Sequence, residues 1–303
     1  VYCMPLEGIQ IMPHQDILSY EEITEVVRVA AKLGVRYIRL TGGEPLVRKN
    51  LPELVGQIAQ VEGIEDISLT TNAALLAVMA EPLAKAGLTR VNISLDTINP
   101  EKFNRITRLG HLEQVWEGIQ VAEANGLSPI KINAVAVRGL NDDELMDMAL
   151  LTIEHPWQVR FIEVMPVGNL QDWGEGFPAA EDRYLSVQTM RDILSPLGLI
   201  SVDNILGNGP ARVYQIPGAK GYVGFISPLG EHFCGQCNRL RLTADGRLMP
   251  CLLSDLEIPI REVLRRGEDI EPYLRQAVQQ KPEGHLLGQH HYPTIRKMSQ
   301  IGG

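Results

Sequence analysis

The stretch Val35–Pro45 reads VRYIRLTGGEP and sets the pattern of the chain. Its first six residues predict a short strand, and the Gly/Pro-rich residues after them predict a loop. An amphipathic helix is predicted before this strand, because Ser19 and Glu22 form a capping box and the apolar face ends at Gly34. Asn50 is predicted to open the helix that follows the loop. The stretch therefore lies at the centre of a helix–strand–helix unit.

The same unit recurs along the chain. Further strands are predicted at about 64–70, 89–95, 130–137 and 158–164, with helices between them. Strands that alternate with helices imply a parallel sheet with right-handed crossovers, either in a barrel or in an open doubly wound sheet. Polar or Gly/Pro-rich residues follow nearly every strand, and a barrel gathers such residues at one mouth, whereas an open sheet concentrates them at one switch point. This distribution favours an α/β barrel.

The pattern changes after about residue 200. Short strands are predicted at 212–216 and 222–226, and a cysteine-rich segment and further helices follow them. We expect residues 1–199 to form the barrel domain and residues 200–303 to form a C-terminal extension.

The composition excludes several classes of protein. The chain has 303 residues, of which 45% are hydrophobic and 21% charged, as in an ordinary globular protein rather than a disordered or fibrous one. Its 28 Lys and Arg against 37 Asp and Glu give a net charge of −9, so we expect no nucleic-acid partner. No apolar run is long enough to span a membrane and no signal peptide is apparent, which predicts a cytoplasmic protein without a membrane partner.

Three of the four cysteines lie close together near the C-terminal side. Cys234 and Cys237 have C-x2-C spacing, and the turn signal Asp245-Gly246 predicts a hairpin that returns Cys251 to them. Three thiolates could hold three irons of a cubane cluster and leave the fourth iron open to a ligand. A structural zinc site would need a fourth protein ligand, for which His232 is available. The spacing leaves both metals open.

Cations accompany this cysteine segment. Arg239 and Arg241 alternate on one face of the predicted strand, where they are either solvated or form a fork for phosphate or carboxylate. Lys131 and Arg39 lie on strands that should open at the same mouth. These four residues would give a protein of negative net charge a local site for an anion.

Five motifs together resemble the radical S-adenosylmethionine (SAM) GTP 3′,8-cyclase family of molybdenum cofactor biosynthesis. They are spread over essentially the whole chain: Tyr2–Pro5 (YCMP), Thr41–Pro45 (TGGEP), Ser94–Thr97 (SLDT), His232–Arg239 (HFCGQCNR) and Gly302-Gly303. The resemblance implies an incomplete (β/α)6 TIM-like barrel with a C-terminal cluster-binding extension. It also implies a lyase that converts GTP to 3′,8-cyclo-7,8-dihydro-GTP.

The resemblance implies SAM and two [4Fe–4S] clusters as cofactors. The family binds the first cluster with C-x3-C-x2-C, of which Cys3 matches only the last cysteine, and we expect the other two upstream of Val1. Cys234, Cys237 and Cys251 match the ligands of the second cluster, whose open iron would take the guanine of GTP.

The resemblance also assigns contact residues. Four positions match contacts with SAM: Tyr2, Gly43, Ser94 and Met165. Six positions match contacts with GTP: Arg39, Thr70, Lys131, Arg239, Leu240 and Arg241. Gly302 and Gly303 match a tail that reaches into the active site. The chain departs from the family at Ala73, where a glycine is usual after Asn72.

The implied partners are GTP, a reductant for the first cluster, and the cyclic pyranopterin monophosphate synthase that receives the product; a homodimer is compatible with the sequence.

Two alternative functions stay open. One is another radical SAM enzyme with an auxiliary cluster that acts on a peptide, although Arg239 and Arg241 suit a triphosphate better. The other is a zinc-stabilised barrel that only binds a partner.

Overall fold

The centre of the fold is a sheet of eight strands. The structure is a computed structural model, and it describes residues 1–3, 8, 12–165, 173–203, 209–231, 233–285, 287, 293–296 and 300. The strands are β1 (Tyr37–Leu40), β2 (Asp66–Thr71), β3 (Arg90–Ser94), β4 (Lys131–Ala136), β5 (Gln158–Glu163), β6 (Ile200–Ser201), β7 (Arg212–Gln215) and β8 (Tyr222–Ile226). Their spatial order is β1-β2-β3-β4-β5-β8-β7-β6. Strands β1 to β5 pair in parallel and β8 pairs in parallel with β5, whereas β6 and β7 are antiparallel additions.

Helices connect and flank these strands. They are α1 (Tyr20–Lys32), α2 (Leu51–Ala59), α3 (Leu76–Ala86), α4 (Pro100–Thr107), α5 (Leu112–Ala124), α6 (Leu145–Glu154), α7 (Val187–Leu194), α8 (Arg261–Arg265) and α9 (Glu271–Gln279). The predicted capping box is confirmed at α1, where Ser19 Oγ accepts from the backbone N–H of Glu22 at 3.2 Å and the Glu22 carboxylate accepts from the Ser19 N–H at 2.7 Å.

The predicted α/β fold with a parallel sheet is confirmed, and β1 to β5 closely follow the predicted strands. Strands β7 and β8 were assigned to the C-terminal extension, yet they hydrogen-bond into the same sheet as the barrel strands. Two parallel neighbours in a sheet must be connected by a crossover segment, usually a helix. The segment between β5 and β8 contains α7, which provides this crossover. The domain boundary between residues 199 and 200 stays a prediction.

The interior of the sheet and the helices that cover it form the main core. Leu69, Val91, Ile132 and Val159, from four neighbouring strands, have no solvent exposure. These four residues share the face that packs against the helices, whereas the opposite face of the same strands carries polar residues such as Asn92, Lys131 and Arg160. Each of the four apolar side chains contributes about 1.5–3 kcal/mol by burial, so the sheet is a rigid base for residues at its edge.

A three-stranded sheet within the described C-terminal part rests on α1. Its strands are β9 (Arg241–Leu242), β10 (Arg247–Met249) and β11 (Ile258–Pro259). Val26 and Val29 of α1 pack with Leu248, Ile258 and residues of α9 in a second core. The cysteine segment is thereby fixed against the barrel.

In the described part of the chain, no helix has both the length and the apolar character needed to cross a membrane.

Candidate active site

A group of cations lies where the barrel strands meet the C-terminal extension; Arg90, Lys131 and Arg160 are buried, Arg239 and Arg241 are half-buried, and Arg39 is exposed. This basic cluster consists of Arg39, Arg90, Lys131, Arg160, Arg239 and Arg241. Arg39 of β1 is paired in register with Ser68, and Ser68 with Arg90, while Lys131 lies opposite Asn92. The extension supplies Arg239 and Arg241, whose charges act on Arg39. The charge of Arg39 acts on Lys131, but Lys131 begins β4 and therefore lies at the amino end of that strand, not at the mouth formed by the carboxyl ends. That Arg39, Lys131, Arg239 and Arg241 form one anion site stays a prediction.

The cations of the basic cluster repel one another, and three of them, Arg90, Lys131 and Arg160, are also buried. Burial, with repulsion from Arg160, Arg90 and Arg39, lowers the pKa of Lys131 to about 7. Burial and neighbouring arginines also lower the pKa of Arg39 to about 10 and that of Arg241 to about 10. Buried like charges are unfavourable unless an anion neutralises them. The cluster is therefore suited to a multiply charged anion such as a polyphosphate.

Arg160 belongs to this cluster and was missed by the sequence analysis. It lies on β5, is 3% exposed, and donates from Nη2 to Asn92 Oδ1 at 2.6 Å. Burial and the charges of Arg39, Arg90 and Arg239 lower its pKa to about 9. Among the described residues, its Nε has no hydrogen-bond partner. The available signal was an arginine between the apolar residues Val159 and Phe161 of a predicted buried strand, because charged residues are almost never fully buried without a partner.

The remaining predicted nucleotide contacts have different surroundings. Thr70 lies on β2 opposite Asn92 of β3 and is 9% exposed, so it is beside the basic cluster. Leu240 packs its side chain against the second core. Only the backbone of Leu240 would then face a ligand at the cluster.

The predicted cysteine hairpin is present. Strands β9 and β10 pair through Leu242 with Leu248 and through Arg241 with Met249, and Gly246 in the turn has φ +77°, which favours glycine. The hairpin leads to Cys251 two residues beyond Met249.

The three thiols of this segment are free and half-buried. The backbone N–H of Cys237 donates to the carbonyl of Cys234 at 3.0 Å, which folds the C-x2-C loop into a tight turn. Burial raises the pKa of Cys251, and the charges of Cys237 and Cys234 raise it further. The effects of Cys234 and Cys237 on Cys251 indicate that both sulfurs lie near that of Cys251.

The donor set fits an iron–sulfur cluster. No group of three His, Cys, Asp or Glu side chains in the described ranges converges on one point as a single metal ion would require. A cubane differs, because each thiolate binds its own iron. For Cys237, burial acts against ionisation, but the N–H of Arg239 and the charge of Lys281 outweigh it and lower the pKa of the thiol. Thiolates are the form that binds iron.

The predicted SAM contacts lie at the carboxyl ends of neighbouring strands. Gly43 is in the loop after β1, Ser94 ends β3, and Met165 comes two residues after β5. Because these strands are parallel, their carboxyl ends form one edge of the sheet. The structure therefore brings the three residues to the same side.

The N-terminal segment is attached to that edge through Asp96. The Tyr2 hydroxyl donates to Asp96 Oδ2 at 2.7 Å, and the N–H of Val135 donates to Oδ1 at 2.8 Å. Burial raises the pKa of both Asp96 and Tyr2. Cys3 is a free thiol beside this anchor. The roles of Tyr2 and Cys3 in binding SAM and a cluster stay predictions.

Glu44 and Glu163 hold the loops of this edge. Glu44 accepts from Thr71 Oγ1 and from the N–H of Asn72, each at 2.7 Å. Glu163 is 1% exposed and accepts from Ser227 Oγ at 2.9 Å and from backbone N–H groups of the loop that leads to the cysteines. These carboxylates position the loops rather than face a ligand.

Ala73 has φ +64° and no solvent exposure. A left-handed conformation costs a non-glycine residue about 1–2 kcal/mol. The departure noted in the sequence therefore puts backbone strain at the end of β2. Gly302, Gly303 and His232 lie outside the described residues.

Two family models match the chain. The radical SAM superfamily matches residues 1–152, and Molybdenum Cofactor Synthesis C matches residues 157–287. The GTP 3′,8-cyclase of Alkaliphilus metalliredigens is 47% identical over 304 residues, with 100% of this chain and 92% of the relative covered. That of Pelotomaculum thermopropionicum is 48% identical over 308 residues, with 100% and 93% covered.

Solved structures with low identity share the fold. Streptococcus suis SuiB aligns with a TM-score of 0.58 at 14% identity, covering 83% of this chain and 60% of SuiB. The native anSMEcpe structure with bound AdoMet and the Cp18Cys peptide aligns with a TM-score of 0.54 at 13% identity, covering 96% and 77%. The fold, the motifs and the full-length relatives agree: the chain belongs to the GTP 3′,8-cyclase family of the radical SAM superfamily.

Proposed function

We propose that this protein catalyses the SAM-dependent radical cyclisation of GTP to 3′,8-cyclo-7,8-dihydro-GTP, the first step of molybdenum cofactor biosynthesis. The observation that carries the proposal is the basic cluster, in which cations of the parallel strands lie within electrostatic reach of Arg239, and Arg239 within reach of Cys237. Asp66 already neutralises Arg90 through a contact of 2.5 Å, and a triphosphate would add further negative charge beside the other cations of the cluster. A nucleotide bound there would lie beside both predicted cofactor sites.

The cations of the basic cluster bind and orient the triphosphate in this proposal. Lys131 and Arg160 project from neighbouring strands of the rigid sheet; from the extension, the charge of Arg239 acts on Arg160, and the charges of Arg239 and Arg241 act on Arg39. Guanidinium groups pair with phosphate oxygens in a fixed planar geometry, so they fix the direction of the nucleotide as well as its affinity. With the triphosphate held at one end, the ribose and guanine have few orientations left.

Membership of the superfamily implies a [4Fe–4S] cluster and SAM, which together supply a 5′-deoxyadenosyl radical. We assign Cys3 as one ligand of that cluster, and Tyr2, Gly43, Ser94 and Met165 as contacts with SAM. Asp96 keeps the Tyr2 ring in place through the hydrogen bond to its hydroxyl. The role of these residues is to hold SAM on the side of the mouth that the GTP ribose faces.

We assign Cys234, Cys237 and Cys251 as ligands of a second [4Fe–4S] cluster. The support is their free thiols, the electrostatic effect of Cys234 and Cys237 on Cys251, and the hairpin that joins the two segments. Three ligands leave one iron for the guanine of GTP, which would set the distance between C3′ and C8.

Further assignments rest on the family and are proposed with it. The tail Gly302-Gly303 would enter the active site, a reductant would serve the first cluster, and the product would pass to cyclic pyranopterin monophosphate synthase. We also propose a cytoplasmic location and a homodimer.

The test is anaerobic reconstitution of the protein with iron and sulfide, followed by incubation with GTP, SAM and a reductant. We expect 5′-deoxyadenosine and a product isomeric with GTP at a one-to-one ratio, identified by mass spectrometry. A peptide-modifying enzyme would leave GTP unchanged. A zinc-stabilised binding protein would contain zinc and no acid-labile sulfide, and either result would refute the proposal.

A further inference from the structure

Lys281 joins the two chain segments that carry the cysteines of the second predicted cluster. It lies just after α9, and its Nζ donates to the carbonyl of Arg239 and to the carbonyl of Pro250, each at 2.7 Å. Arg239 is two residues after Cys237, and Pro250 directly precedes Cys251. One ammonium group therefore links the backbone beside two of the three cysteines.

This link lies where the hairpin has no other backbone pairing of its own. The ladder between β9 and β10 consists of Leu242 with Leu248 and Arg241 with Met249, and it ends there on the side of the cysteines. Beyond that end, the two segments would be free to separate. Lys281 bridges them, and Leu274 and Ala277 of α9 anchor the helix before it in the second core.

The ammonium also acts on the sulfurs. Its charge reaches both Cys237 and Cys251. An iron–sulfur cluster becomes more negative when it is reduced, so a fixed positive charge at its edge favours the reduced state. Net charge and hydrogen bonds near the sulfurs are known determinants of cluster potential.

We propose that Lys281 is a positioning residue of the second cluster: it holds the Cys237 and Cys251 segments together and raises the reduction potential of the cluster they bind. The proposal rests on the second-cluster assignment made above. It goes beyond that assignment because Lys281 is neither a ligand nor a nucleotide contact, and the sequence analysis did not single it out.

The test compares Lys281→Met and Lys281→Arg in a Cys3→Ala background, where the second cluster is the one that remains. Methionine keeps the length of the side chain and removes its charge and donors, whereas arginine keeps both. The control is Lys85→Met, which removes an exposed lysine paired with Glu81 far from the cysteines. Each variant is reconstituted anaerobically, and its melting temperature is measured first.

Two measurements follow: the rate of iron loss to a chelator and the midpoint potential from an EPR-monitored titration. For Lys281→Met we expect iron loss about tenfold faster, the lower end of what removing a partner of a metal ligand costs. We also expect a more negative potential, by about 59 mV if the reduced-to-oxidised ratio changes tenfold. Lys281→Arg should retain most of both properties, and Lys85→Met should match the parent.

Parental iron loss and parental potential in Lys281→Met would overturn the proposal while leaving the second cluster intact. A parent protein without iron and sulfide would overturn the cluster assignment and this proposal with it. If Lys281→Met does not fold, amine-reactive labelling of the parent protein tests whether the Lys281 ammonium is held by the two carbonyl groups. Labelling of Lys281 many-fold slower than that of Lys85 supports the link, and equal labelling of the two overturns it.

Discussion

GTP binding should weaken as the pH rises from 6 to 8, because Lys131 loses its proton in that range. Burial and the charges of Arg160, Arg90 and Arg39 lower the pKa of Lys131 to about 7 in the unliganded protein. The triphosphate neutralises the repulsion, so the bound state favours the charged lysine. Binding above pH 7 therefore takes up a proton, and the cost of that uptake grows with pH.

The magnitude follows from the fraction of charged Lys131. With a pKa near 7, about nine tenths of the lysine is charged at pH 6 and about one tenth at pH 8. If only the charged form binds tightly, the dissociation constant rises about tenfold over this range. That factor corresponds to about 1.4 kcal/mol.

The assay is isothermal titration calorimetry with GTP at constant ionic strength, in buffers of different ionisation enthalpy. The γ-phosphate of GTP also titrates near this range, so the informative quantity is the difference between the parent and Lys131→Met. Lys131→Met should bind GTP more weakly than the parent at pH 6. From pH 6 to pH 8, its dissociation constant should change by a factor about tenfold smaller than that of the parent. Lys220→Met, which removes an exposed lysine, should behave as the parent. Equal pH dependence in Lys131→Met and the parent would refute the reasoning.

Three further substitutions have expected outcomes. Cys251→Ala should remove the iron and sulfide of the second cluster, measured by metal analysis in the Cys3→Ala background; unchanged iron would contradict the ligand assignment. Glu163→Gln should lower the free energy of unfolding by about 3 kcal/mol in a denaturant titration, because an amide donor would meet backbone N–H groups that now share a carboxylate. A loss below about 1 kcal/mol would contradict this. Ala73→Gly should raise the free energy of unfolding by up to about 1 kcal/mol, because it removes left-handed strain. A free energy of unfolding below that of the parent would contradict this, and would show that the buried methyl group stabilises the fold by more than the strain costs.

Much of the fold could be predicted because local signals agreed with the final packing. The capping box of Ser19 and Glu22 marked the start of α1, and periodicity located β1 to β5. Strands β7 and β8 were located as well, but not their partners. A short strand pattern carries no information on which sheet edge it joins, because that choice depends on packing over a long sequence separation.

The candidate site was predicted where a motif exists and missed where chemistry depends on distant contacts. The C-x2-C spacing and the Asp245-Gly246 turn predicted the cysteine hairpin directly. Arg160 has no motif, and its role emerges only from the register that pairs it with Asn133, on the same face as Lys131, and from its hydrogen bond to Asn92. Lys281 is 30 residues beyond Cys251, and only the tertiary structure shows its contacts with Arg239 and Pro250.

The central claim is that the basic cluster and the three cysteines form one site for GTP. Anomalous diffraction at the iron edge, from anaerobic crystals grown with GTP, tests this most directly. We predict iron at Cys234, Cys237 and Cys251, with the triphosphate against Lys131 and Arg160 and the guanine toward the iron. Zinc at the cysteines, or a triphosphate bound away from these cations, would contradict the account.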